Sequence, residues 1–472
     1  MRRALICLAS LALTLCWAGT ALGHPELTSS SPGADARLGA APALATLTFS
    51  EAVELLNGDD ADVVDSTGAS VSSGPARLAN DQRVVQIPLR PGLEEGTYTV
   101  RYSVIGSDSH VIGGLFVFGI GSAELGEPYL GGGGSSGPSE TGPWGTSSRF
   151  LELVGLGGLI GLIAFRWLVW APGLRPAIGT APPAEREAVL AWGRDSFWVG
   201  FGVLAVGAML AEGYLLVVQS ASVLGTGVWS ALRDATGISQ VLGDTRFGSL
   251  VQLRGGLLFA LFAVGAIFFI REYGSTGAPK AAELTAPRWT GLLMGALLAT
   301  VLGGIAAQGH ASVDDFSTLQ VAVQLVHIVA VAVWIVGLAM VALVHFRLPK
   351  LAPGAGPGLA AKVLARYSKV ALVAVAVAIL TGVVRSLGEL DDPAELWNTS
   401  YGQSILIKIS LLIPIGALAL YNRRVIVALR RVRTPNAPTL RLVRRLAGAE
   451  FALSLIIVVV ASILVAQVPG SA

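Results

Sequence analysis

Only five histidines occur in the 472 residues, and the position of the first is unusual. His24 follows Ala21-Leu22-Gly23, at the end of an apolar N-terminal run. That run has the pattern of a secretory signal peptide over residues 1–23. Arg2 and Arg3 open it, Leu5 to Trp17 form the apolar core, and Ala21 and Gly23 are small residues at cleavage spacing. Cleavage after Gly23 makes His24 the first residue of the mature chain. A terminal histidine presents two nitrogens, its α-amine and ring Nδ1, which close a chelate ring on a borderline metal such as Cu(II). Pro25 has no amide N–H to join them, so further ligands must come from elsewhere in the fold. The segment SDSHVIGG, residues 107–114, supplies Asp108 and His110 at i and i+2. On an extended chain that spacing puts both side chains on one face. Two histidines and a carboxylate form a nitrogen-rich set with one oxygen, which suits tetragonal Cu(II). The Asp-x-His triplet alone would also fit an exposed polar turn. The terminal histidine is what gives it weight.

The remaining composition narrows the chemistry. Both cysteines, Cys7 and Cys16, fall inside the signal segment, so the mature chain has no disulfide, thiolate metal site or cysteine nucleophile. Without Arg2 and Arg3, 31 basic residues face 31 acidic ones, and overall charge points to no nucleic-acid partner. The chain is 53% hydrophobic and 14% charged, with mean hydropathy +0.66, the profile of a polytopic membrane protein.

Three regions must position the candidate ligands. Residues 24–122 alternate apolar and polar in short runs such as Ala45–Phe49, Tyr98–Val104 and Leu115–Phe118, separated by Gly, Pro, Asn and Asp. They predict a small all-β sandwich. Its 12 acidic and 5 basic residues favour cations. Residues 123–148, with GGGGSSGPSETGPWG, read as a flexible linker. From 149 to 472 an all-α membrane domain of eight helices is expected, with spans near 150–170, 195–218, 248–270, 289–308, 319–344, 367–387, 404–421 and 447–467. With the β-domain outside, the loops 166–194, 271–288, 345–369 and 422–445 face the cytoplasm and hold 20 Lys/Arg. The external loops 219–247, 309–318 and 388–403 hold two, which agrees with the positive-inside rule. Both the β-domain and the C-terminus are then extracytoplasmic. The basic run from Arg423 to Arg445 reads as topogenic and lipid-facing.

Within the spans, His310 lies at the outer end of the fourth, beside Asp314 and Asp315. His327 lies about 12 Å below the outer end of the fifth, and Trp334 sits two turns further on the same stripe. An intramembrane histidine needs a partner or a cavity, and is a functional candidate by default. Glu212, deep in the second span, either belongs to an ion or proton path or is neutralised by Arg254 or Lys408. His345, near Arg347 and Lys350, reads as interfacial. Met209, Met294 and Met340 are soft donors in type, and packing residues in context. Gly157 and Gly161 predict a close helix contact.

HPELTSSSPGADARL, LTFSEAVE and YSVIGSDSHVIGGLFVFGI resemble the CopC family of exported copper-binding domains over nearly all of 24–120. The resemblance implies an immunoglobulin-like or cupredoxin-like sandwich with Cu(II) bound by His24, Asp108 and His110. Glu51, the glutamate of the T-F-S-E motif, matches a position near that site, as a ligand or as the group that orients one. No methionine falls in the mature β-domain, so the thioether Cu(I) site of some CopC proteins is not expected. DTRFGSLVQLR, the GHA at 309–311, LVHIVAVAVWIVGL, RYSKVALVAVAVAILTGV and ELWNTSYGQSILIKISLL resemble the CopD family over 150–467. The two occur fused in bacterial proteins linked to copper uptake or tolerance, which implies a multi-pass protein of the plasma membrane.

The expected function is therefore copper homeostasis or resistance, by capture of copper outside and import through the helices. Passage as Cu(I) would require a reduction step, and no reductase motif is present. The alternative is an extracytoplasmic copper-buffering or sensing module without transport. An enzyme is not expected. Haem ligation needs opposed histidines at one depth, whereas His310, His327 and His345 sit at three. The expected partners are copper ions and the lipid bilayer.

Overall fold

The structure is a computed structural model describing residues 25–106, 111–122, 124–130, 142–274, 288–306, 317–388 and 394–429, with short pieces between 445 and 463. His24, Asp108, His110 and His310 lie outside the described residues.

Nine strands build the N-terminal domain: β1 Leu27–Ser31, β2 Arg37–Leu38, β3 Leu44–Phe49, β4 Val53–Glu54, β5 Ala61–Val64, β6 Arg77–Ala79, β7 Val84–Pro88, β8 Gly96–Gly106 and β9 Val111–Ile120. One sheet runs β1-β3-β7-β6. The other runs β2-β9-β8-β4, with β5 also paired to β8. The alternation Ala45, Leu47, Phe49 in β3 and Val85, Ile87 in β7 turns one face of the first sheet inward. It meets Val53, Val63, Val100, Val104 and Phe118 of the second sheet in one core, so the expected sandwich is present. Segment 124–130, read from composition as linker, is tied to this domain. Thr97 Oγ1 and Thr99 Oγ1 accept the amides of Gly126 and Tyr129 at 2.8 and 2.9 Å. Threonine hydroxyls on β8 give these amides partners that Gly content alone does not reveal.

The helical half begins earlier than expected, at Pro143, because proline suits a helix's first turn. Its main helices are α1 Pro143–Ala164 (continuing through a π-helical turn to Leu174), α2 Pro183–Val223, α3 Ala235–Asp244, α4 Arg246–Gly274, α5 Arg288–Ala306, α6 Ser317–Leu351, α7 Gly356–Gly388 and α8 Ser400–Leu429. Among the described residues, five helices are long and apolar enough to cross a membrane: 143–174, 183–223, 246–274, 319–351 and 356–386. Shorter apolar helices cover 289–304 and 402–418. The eighth expected span is described only in part. Two stretches expected as loops are largely helical. α2 starts at Pro183, and α6 and α7 leave only 352–355 between them. Glu185 explains the tight turn, since its carboxylate accepts the amides of Gly354 and Ala355 at 3.0 and 2.7 Å. That contact, 169 residues apart in the chain, has no local signature.

α1 and α6 run parallel in close contact. A Cβ on Gly161 would lie 2.6 Å from the carbonyl oxygen of Ala332 and overlap the Val336 side chain. Gly161→Val is therefore expected to destabilise the helical half by about 1–3 kcal/mol, read as a lower unfolding temperature in detergent.

Candidate metal centre

Glu51 lies in the turn between β3 and β4, with only 8% of its surface exposed. Both flanks of that turn are bonded. On one side, Ser50 N donates to Glu26 O at 2.9 Å, and Glu26 N donates to Ser50 Oγ at 2.9 Å. On the other, Phe49 N donates to Arg83 O and Val53 N to Gln82 O, while Arg83 Nη1 donates to Ser50 O at 3.1 Å. β4 then pairs Val53 with Gly106 and Glu54 with Ile105, and Ile105 pairs with Val111. Glu26, two residues from His24, and Gly106, two residues from Asp108, thus reach the same short segment, 50–54, while Val111, next to His110, pairs with Ile105 beside it. Two long-range pairings bring together three pieces of chain that are far apart in sequence. The nearby Asp62 is a contrast. Ser70, Ser72, the Val63 amide and Arg101 all donate to it, so it is a satisfied structural carboxylate.

The same end of the sandwich touches the helices. Glu54 Oε2 accepts the backbone N–H of Arg246 at 3.1 Å. Burial pushes the Glu54 carboxyl above the ordinary range, and the Arg246 amide and guanidinium pull it part of the way back.

In the helical half, Glu212 is ion-paired with Arg254, one of the two partners considered from the sequence. Arg254 Nη2 donates to Glu212 Oε2 at 2.7 Å, and Arg254 Nη1 lies 3.4 Å from Glu152 Oε1. Arg149 adds a second cation 3.5 Å from Glu152. Arg254 is fully buried, and Glu152 and Glu212 nearly so. Counted from the helix ends nearest the sandwich, Glu152, Glu212 and Arg254 lie about 12–16 Å deep, so they form one layer. The sequence offered Arg254 or Lys408 as a partner for Glu212; the pairing with Arg254, and the place of Glu152 beside it, come from helix packing.

His327 falls at a similar depth in α6. Its Nδ1 lies 3.0 Å from Thr381 Oγ1, a partner in α7 that sequence reasoning missed. The single hydroxyl proton of Thr381 goes to Val377 O at 2.6 Å, so Thr381 accepts from His327 Nδ1–H. Lys408 and Arg385 act electrostatically on the ring, and each has partners of its own. Trp334 is buried against Ile335, Ala374 and Ile457, and its carbonyl accepts the Tyr367 hydroxyl at 2.7 Å. His345 Nδ1 lies 3.0 Å from Val341 O, a bond within its own helix. Met294 is fully buried in the apolar core with Leu298 and Val301, a packing role. Among the described residues, no three His, Cys, Asp or Glu side chains form a metal-holding group.

Comparison with known proteins matches these parts one by one. The family described as CopC domain covers 27–121. Copper resistance protein D-like, N-terminal domain, covers 143–319, and Copper resistance protein D covers 361–464. The "Copper transport protein CutJ" of Bacillus subtilis is 25% identical over 456 residues, spanning 94% of this chain and 74% of that one. The "Copper resistance protein C" of Escherichia coli is 36% identical over 106 residues, 21% of this chain and 82% of that protein. A crystal structure of CopC from Methylosinus trichosporium OB3b is 29% identical, covers 22% of this chain and all of that one, and has a TM-score of 0.19. A CopC domain over the sandwich, followed by two copper resistance protein D models over the helical half, makes this protein a CopC–CopD fusion.

Proposed function

We propose that this protein captures copper outside the cytoplasm and passes it inward across the plasma membrane, with its β-domain and C-terminus extracytoplasmic. The observation that carries the reading is the meeting of chain segments at 50–54, where buried Glu51 stands between the residues leading to His24 and those flanking Asp108 and His110. His24, Asp108 and His110 are the proposed Cu(II) ligands. Glu51 is a ligand or the group that orients one. Glu51→Gln is expected to lower Cu(II) affinity by about 10- to 100-fold without unfolding the domain, measured by titration of the full-length protein. The onward path, for copper reduced to Cu(I) by an external one-electron reductant, runs by His310, His327, Trp334 and Glu212. The support for it is His327, a buried intramembrane histidine bonded to Thr381 where α6 meets α7. Mass-spectrometric copper uptake by proteoliposomes tests this: His327→Ala is expected to slow uptake by about tenfold or more. Equal uptake by the variant and the parent would sink the transport reading.

Buffering or sensing without flux is the second reading. The pairing of Glu212 with Arg254 favours it, because a carboxylate already satisfied by a guanidinium is a poorer stop for a cation. It forecasts tight Cu(II) binding and no uptake.

A further inference from the structure

The end of the sandwich that gathers the proposed ligand segments is also the end that meets the helices, and it does so at two points. Glu54, opposite Ile105 at the end of β8, bonds to the first amide of α4. Amides of a helix's first turn have no partner inside the helix and favour a carboxylate. Two residues on, Leu56 packs into an apolar recess formed by Leu215 of α2, Val241 of α3, and Phe247 and Val251 of α4. A polar point and an apolar point together fix position and rotation, which neither does alone. The two long helices forming this seat, α2 and α4, are those that carry Glu212 and Arg254 about 12–16 Å below.

We propose that this seat is a hand-over interface: Glu54 and Leu56 hold the copper-binding end of the β-domain against the ends of α2 and α4, and copper enters the helices only from the seated domain. The proposal rests on the transport reading and adds where the transfer occurs. A domain hung only on the Gly/Ser linker would sample many orientations. Docked through Glu54 and Leu56, segment 50–56 is held in one place against the helical half.

The test uses the full-length protein in proteoliposomes, with copper and a reductant outside and uptake read by mass spectrometry. Leu56→Asp places a charge in the apolar recess. It is expected to cut uptake by about tenfold or more, while Cu(II) affinity in detergent stays within about twofold. Leu56→Cys/Leu242→Cys, both half-buried in the same cluster, can be joined by a short bis-maleimide, and the mature chain has no other thiol to compete. The joined protein is expected to keep parental uptake. Parental uptake by Leu56→Asp, or loss of uptake on joining, overturns the hand-over. No uptake by the parent overturns the transport reading, and the hand-over with it.

Discussion

Adding one alanine ahead of His24 should weaken Cu(II) binding by at least about 100-fold, since losing a group that merely orients a ligand already costs about 10- to 100-fold. The insertion keeps the imidazole and removes the amine from the chelate ring, converting it to an amide. His24→Ala removes both nitrogens and should bind more weakly still. Binding by the parent should also fall as pH drops below about 6.5, where imidazoles take up protons that compete with the metal. Titration of the full-length protein, with its N-terminus verified by sequencing, reads all three. Asp62→Asn is the control, because that carboxylate serves Ser70, Ser72 and Arg101 and not the ligand segments. Unchanged affinity after the alanine insertion would show that the amine is not a ligand.

The second large effect belongs to Arg254. Arg254→Met should destabilise the helical half by about 3–5 kcal/mol, because it strands Glu212 and leaves Glu152 with Arg149 alone. Arg254→Lys should recover only part of this. One guanidinium reaches two carboxylates through separate nitrogens, and an ammonium is a single point charge. Arg254→Met/Glu212→Leu should recover more than Arg254→Lys, since it removes the stranded charge. Thermal unfolding in detergent ranks the four proteins. If Arg254→Met unfolds where the parent does, the layer is hydrated and not a buried ion pair, which would count in favour of an open path.

Much of the architecture is local and therefore legible. Alternation in Ala45–Phe49 and Val84–Ile87 announces strands because a pleated sheet has a period of two. Apolar runs announce helices of membrane length, and Gly161 marks a close approach. Helix ends were less legible. Pro183–Arg194 is polar enough to resemble a loop, yet continues α2, where Glu185 holds the next turn of the bundle.

The chemistry divides in the same way. Residue type and order determined the donors: a histidine placed for exposure by cleavage, an Asp-x-His triplet, and a histidine and a glutamate within apolar spans. These are properties of side chains and of spacings under about four residues. Tertiary structure decided who meets whom. Val53 pairs with Gly106, Glu212 bonds Arg254, His327 finds Thr381, and Glu54 and Leu56 reach α4. Such partners are 42 to 192 residues apart where hydrogen-bonded, and their meeting depends on how whole sheets and helices pack. Periodicity encodes which face of an element is apolar. It does not encode which residue of another element that face will touch.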